Sequence, residues 1–234
     1  DATNKKGIEM RLLATKLVSP HFKDCLIQQG MSLITYPFIQ IEPLTTSLFG
    51  VQSSLLFTSQ NAVKLAFESE EIKEQIQGKN CFCVGAKTKS LLEEKGQKVI
   101  KMCQNSLELA QFLVKNHKND SFSFFCGKRR RPEIETVLEQ HKIRLEVHEL
   151  YQTHFTAKHF ETHFDGILFF SPSAVTSFFM KNNWPVDTHG FCIGTTTAAE
   201  LKKYTSEFST AKQPSESHLL VTLHHYYKQH YVKK

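Results

Sequence analysis

No apolar run in the 234 residues approaches the ~18 needed to cross a bilayer as a helix, and no charged-then-apolar leader opens the chain. A helical membrane protein and a secretory precursor are set aside on that ground, and a soluble cytoplasmic protein is expected. The six cysteines, Cys25, Cys81, Cys83, Cys103, Cys126 and Cys192, form no C-x-x-C pair and mostly sit in or beside apolar, strand-like runs. Reduced structural thiols fit that placement better than a disulfide or zinc framework. G-x-G-x-x-G, G-x-S-x-G and Walker sequences are absent, so nucleotide-binding and serine-hydrolase readings lack their usual anchors. Among twelve histidines, His159 and His163 have the i, i+4 spacing of two ligands on one helical face, yet no carboxylate or cysteine motif completes the pair. His148-Glu149 lacks the second histidine of a zinc-protease helix. Exposed helical histidines are expected, with no metal and no cofactor.

What is present is a chain 40% hydrophobic and longer than one domain of ordinary size, which favours two modest domains. Lys and Arg outnumber Asp and Glu by 29 to 23, giving a formal charge of +6. That excess suits an anionic partner without reaching the density of a dedicated nucleic-acid binder. The densest basic run, Lys128-Arg129-Arg130-Arg131, has no interleaved aromatics, so no nucleic-acid partner is expected of it. The opening Asp1 to Gly7 reads as a polar tail outside the fold.

The chain also repeats itself. Phe57-Thr58-Ser59-Gln60-Asn61-Ala62-Val63 resembles Phe169-Phe170-Ser171-Pro172-Ser173-Ala174-Val175 at an offset of 112. Phe82-Cys83-Val84-Gly85-Ala86-Lys87-Thr88 resembles Phe191-Cys192-Ile193-Gly194-Thr195-Thr196-Thr197 at 109, and Gln104-Asn105-Ser106 resembles Gln213-Pro214-Ser215 at the same offset. The remaining unit is out of order. Phe124-Phe125-Cys126-Gly127-Lys128 and the strand from Arg144 resemble Leu12-Leu13-Ala14-Thr15-Lys16 and the strand around Ser32 to Tyr36. One lobe is therefore expected to be continuous, residues 44–148, and the other to be assembled from 1–38 and 155–234, with crossings at 39–43 and 149–154.

Short β-rich runs (Leu55 to Phe57, Cys81 to Val84, Phe122 to Phe125, Ile167 to Phe170, Phe191 to Ile193) alternate with helical periodicity such as Ser106 to Val114. That alternation predicts an α/β fold: two similar lobes, each a parallel sheet flanked by helices. Ligands of such sheets bind outside the carboxyl ends of the strands. The repeated motifs fall there: Thr58-Ser59, Gly85 to Thr88, Gly127-Lys128, Ser171 to Ser173 and Gly194 to Thr197. If the lobes face one another, these turns line one cleft. Small hydroxyls, glycines and helix N-termini bind anions, and they also cap helices; each motif alone fits capping better, and the set of five fits a polyanion receptor.

The ordered set Phe57-Thr58-Ser59, Val84-Gly85-Ala86-Lys87-Thr88, Leu150-Tyr151-Gln152-Thr153, Phe169 to Ser173 and Ile193 to Ala198 resembles the uroporphyrinogen-III synthase family, over nearly the whole chain from Arg11 to about Tyr226. The sequence departs from the family at Lys16, where many members carry Arg, and at Thr195, where others have Pro. The resemblance implies two α/β lobes joined by a two-stranded connector. It implies an enzyme that closes the linear polycarboxylate hydroxymethylbilane into uroporphyrinogen III, inverting the terminal pyrrole and losing water, in heme biosynthesis. It also implies the tyrosine of the second connector, Tyr151, as a weak general acid toward the departing hydroxyl. Thr58, Ser59, Gly85, Thr88, Ser171, Ser173, Gly194, Thr196 and Thr197 match substrate-binding positions, with Lys16, Arg130 and Arg131 as charge partners. A monomer is expected, with transient contact to the preceding pathway enzyme. The competing reading is a two-lobed binding protein for a small anionic ligand, without catalysis.

Overall fold

The computed structural model describes residues 10–45, 48 and 50–230, so the tail at Asp1 to Gly7 lies outside the described residues. The chain opens with β1 (Arg11–Ala14), α1 (Pro20–Gln28), β2 (Ser32–Thr35) and β3 (Ile39–Pro43). Then follow β4 (Ser54–Phe57), α2 (Gln60–Glu68), α3 (Glu70–Ile76), β5 (Asn80–Val84), α4 (Ala86–Glu94), β6 (Lys98–Cys103), α5 (Ser106–Asn116), β7 (Ser121–Gly127), α6 (Glu133–Gln140) and β8 (Arg144–Phe155). The chain closes with β9 (Gly166–Phe169), α7 (Pro172–Phe179), β10 (His189–Cys192), α8 (Thr195–Leu201), β11 (Phe208–Thr210) and α9 (Glu216–His230).

Two compact units result: Asp1–Gln40 with His154–Lys234, and Ile41–Thr153. The sheet of the first has the order β11-β10-β9-β1-β2, and that of the second β3-β8-β7-β4-β5-β6. Superposing the repeats on these orders matches them strand for strand: β2, β1, β9, β10, β11 correspond to β8, β7, β4, β5, β6. The out-of-order repeat is thus one architecture entered at two different points of the chain. All the registers among these matched strands are parallel. Parallel strands are covered on both faces, which is why β4 and β9 are buried at all four positions and carry the apolar runs 55–57 and 167–169.

Each sheet carries a hydrophobic cluster on either side. Alternation sorts Leu55, Phe57, Cys81 and Phe125 into one cluster of the second unit, and Leu56, Phe82, Phe124 and Cys126 into the other. In the first unit the same alternation separates Leu12 and Leu168 from Leu13 and Phe169. The cysteines are free thiols; burial pushes Cys81, Cys126 and Cys192 up to about 12, leaving them protonated and inert.

The two crossings lie on paired strands. Thr156 N donates to Phe38 O at 3.0 Å and Leu44 N to Leu150 O at 2.9 Å, so partner numbers fall as chain numbers rise and β3 runs antiparallel to β8. β8 is 12 residues long and belongs to the sheet before it becomes a crossing.

One expectation is corrected. His159 and His163 sit on no helix, because residues 156–165 are irregular. The Asn182 side chain accepts from Phe160 N at 3.0 Å and donates to Lys158 O at 2.7 Å, while Phe160 and Phe164 pack on the core. With its backbone bonded to the side chain of Asn182, just beyond α7, this stretch has no helical ladder. An i, i+4 spacing then brings no two rings to one face.

Candidate active site at the strand ends

In each unit the strand order reverses once, between β1 and β9 and between β7 and β4, and crevices of open parallel sheets form at such points. The second unit places Tyr151 there. β7 and β8 run in step from Ser121↔Arg144 to Cys126↔Glu149, and then Gly127 pairs with Tyr151, leaving Leu150 as an extra residue. That bulge breaks the alternation, so Leu150 and Tyr151, adjacent in sequence, enter the same cluster. Tyr151 is 7% exposed, with its Oη 2.9 Å from Ser59 Oγ. Ser59 is the N-cap of α2, its Oγ accepting from Ala62 N at 3.1 Å. Burial raises the Tyr151 phenol above its ordinary value, the Ser59 hydrogen bond partly opposing it. The phenol is therefore neutral at physiological pH and holds a proton to donate.

The neighbouring turns divide by exposure. Gly85, at φ +87°, caps α4, a left-handed conformation that favours glycine. Thr88 and its counterpart Thr197 are buried in the first turns of α4 and α8, at 4% and 1% exposure, whereas Thr196 is exposed and Thr58 half-buried. A cavity of about 310 Å³ runs between α2 and α4, from Ala86 at the start of α4 to Glu94 at its end, lined also by Gln60, Lys64, Lys87 and Ser90.

The basic run after β7 splits. Arg130 turns inward: Nε and Nη2 donate to Glu135 at 2.8 and 2.7 Å, and Nη1 to Glu149 at 2.6 Å and to the carbonyls of Gly127 and Lys128. Those bonds raise its already high pKa further and use the guanidinium to fasten the turn. Arg131 is exposed, 4.0 Å from Glu133.

In the first unit Lys16 follows β1, with Nζ 3.0 Å from Glu216 and 4.7 Å from the centre of the Phe170 ring. Glu216 also accepts from Ser19 Oγ at 2.6 Å. Burial works upward on this carboxyl, but the bonds from Ser19 and Lys16 hold it below the usual range. Ser171 caps α7 by accepting from Ala174 N at 3.1 Å, as Ser59 caps α2, and Ser173 is half-buried in that first turn. Gly194 caps α8 with no side chain.

The sequence matches the family model of Uroporphyrinogen-III synthase HemD over residues 21–221. The chain belongs to the uroporphyrinogen-III synthase family. No curated protein matches its sequence. Among solved structures it is similar to the uroporphyrinogen-III synthetase of Helicobacter pylori 26695, at 18% identity and a TM-score of 0.66, covering 93% of this chain and 99% of that one. It is also similar to a mutant uroporphyrinogen III synthase of the extremely thermophilic bacterium Thermus thermophilus, at 13% identity and a TM-score of 0.70, covering 94% and 99%. At such low identity the shared property is the fold.

Within the family frame, the structure brings Tyr151, Ser59 and Gly127 together at one reversal point, and places Lys16, Phe170 and Ser171 around the other. Among the described residues, no helix is long and apolar enough to cross a membrane, and no group of three or more His, Cys, Asp or Glu is placed to hold a metal ion.

Proposed function

We propose that this chain converts hydroxymethylbilane to uroporphyrinogen III, closing the ring with inversion of the terminal pyrrole and loss of one water, as a step of heme biosynthesis. The family match across residues 21–221 carries this reading. The reaction moves no net electrons: a hydroxyl and a proton leave together as water, so it calls for no redox partner.

Tyr151 donates a hydrogen bond to the departing hydroxyl. Its buried phenol stays protonated through neutral and mildly alkaline pH. Ser59 Oγ, 2.9 Å away, fixes the phenol and shares its hydrogen bond. The pyrrole nitrogens push out the leaving group to form an azafulvene cation. Attack at the substituted carbon gives the spiro-pyrrolenine, which opens and recloses with the ring reversed. The protein supplies orientation, since unassisted closure gives the uninverted isomer.

Backbone N–H groups and hydroxyls suited to substrate carboxylates stand at the starts of α2 and α4 in one unit, with Thr58 and Gly85, and at the starts of α7 and α8 in the other, with Ser171, Ser173, Gly194 and Thr196. Thr88 and Thr197 act through the geometry of their turns, being buried. Lys16 and Arg131 supply positive charge, and Arg130 holds the turn that carries Arg131. The enzyme works as a cytoplasmic monomer and receives its unstable substrate from the preceding enzyme in a transient contact.

The test is isomer analysis. Purified protein given hydroxymethylbilane without metal or cofactor, then oxidised, is expected to yield mainly the type III porphyrin. Type I alone would show binding without catalysis and end the synthase reading.

A further inference from the structure

Tyr151 reaches Ser59 over a gap that only a glycine leaves open. A Cβ on Gly127 would lie 2.6 Å from Tyr151 Cε2, 2.6 Å from Cζ and 3.0 Å from Oη. Contacts this short force one side to move, and they fall on the hydroxyl end of the ring. A positive φ is not the reason for this glycine: among the described residues the positive-φ glycines are Gly30, Gly50, Gly78, Gly85 and Gly96, and Gly127 is not one of them. It ends β7 without a positive φ, so what the position demands is space.

The bulge supplies the other half of the arrangement. Skipping Leu150 lets Gly127 pair with Tyr151, while Lys128 N donates to Tyr151 O at 2.8 Å, and the ring is clamped over the glycine backbone. The shared architecture does not require this. In the other unit the position equivalent to Gly127 is Thr15, 1% exposed, carrying a Cβ and a hydroxyl that donates to Leu168 O at 2.9 Å. The niche exists only in the unit that holds Tyr151.

We propose that Gly127 is a positioning residue for the reaction: with the bulge at Leu150, it seats the Tyr151 ring so that the phenol lies against Ser59 and faces the leaving hydroxyl. The proposal rests on Tyr151 acting as the donor. Gly127→Ala shifts the phenol without altering its chemistry, and a displacement near 1 Å at a reacting group costs about tenfold or more in rate.

The experiment is a double-mutant cycle in kcat and KM with Gly127→Ala and Tyr151→Phe. Gly127→Ala is expected to lower kcat about tenfold or more while KM changes by less than about twofold. Phenylalanine keeps Cε2 and Cζ, and with them the clash, but has no hydroxyl. In the Tyr151→Phe enzyme Gly127→Ala is therefore expected to change kcat by less than about twofold. An equal loss in both backgrounds would mark general structural damage and overturn the proposal, as would an unchanged kcat for Gly127→Ala alone. A wild-type rate for Tyr151→Phe by itself would instead remove the donor reading, and the proposal with it. If Gly127→Ala does not accumulate as folded protein, Gly127→Ala with Tyr151→Ala decides. Recovery to the level of Tyr151→Ala supports the niche, and failure to recover overturns it.

Discussion

Two histidines, His189 and His148, are made more acidic by burial. His189 stacks on Tyr226 with centroids 4.0 Å apart, and its Nε2 lies 2.9 Å from Ser209 Oγ. Burial lowers its pKa to about 4, with Glu207 opposing the shift and His230 adding to it. His148, bonded to Ser123 at 3.2 Å, is shifted the same way by burial. A histidine that binds its proton more weakly folded than unfolded draws the chain toward the unfolded state as pH falls. Its contribution is complete above the ordinary histidine value near 6.5 and is lost progressively down to about 4. The thermal midpoint is expected to drop across that window. His189→Gln, which cannot titrate, should give a shallower drop; equal slopes in scans at matched pH would exonerate His189. At this scale the sequence was least legible. Arg130 and Arg131 are neighbours in one basic run, yet one is spent on Glu135 and Glu149 and the other is exposed. Which way a side chain turns depends on carboxylates 5 and 19 residues away.

Among the elements, buried parallel strands were the clearest in the sequence, since apolar runs such as Leu55 to Phe57 have few other uses. The caps were also legible. Ser59 accepts from Ala62 N and Ser171 from Ala174 N, both at 3.1 Å, in paired turns whose hydroxyls fit capping. The bulge at Leu150 was not, because two adjacent apolar residues also occur in any strand buried on both faces. The close approach of strands at Gly166 likewise became visible only in the fold. A Cβ there would meet Leu12 Cδ2 at 2.7 Å and Phe191 Cε2 at 2.9 Å, both fully buried. Gly166→Ala is expected to cost about 1–3 kcal/mol through overpacking. Urea unfolding followed by the fluorescence of Trp184, the single tryptophan, reads that loss in the unit that contains it. An unchanged midpoint would show that Leu12 and Phe191 give way freely.

For the molecule as a whole, each unit draws its cores from its own residues. The buried clusters of the second run from Leu48 to Tyr151, inside Ile41–Thr153, and those of the first fall in the two flanking segments. A continuous segment with two complete cores has what independent folding requires. Residues 41–153 alone are expected to show an α/β circular dichroism spectrum and one cooperative thermal transition. Residues 154–234 alone should not, since β1 and β2 of their sheet, and core side chains such as Leu12, Leu13 and Phe22, lie in the other segment. A non-cooperative melt of 41–153 would mean that its cores need the rest of the chain.

The sequence by itself determined the α/β class, the permuted repeat, the two-part division and the family. These follow from strand runs, caps and turns, which are local and leave periodic marks along the chain. Tertiary structure alone decided that His159 and His163 share no helix, that Arg130 closes on two glutamates, and that Gly127 lies under Tyr151. Each of these depends on groups brought together from distant positions, and strand register, which no local pattern encodes, sets whether they meet.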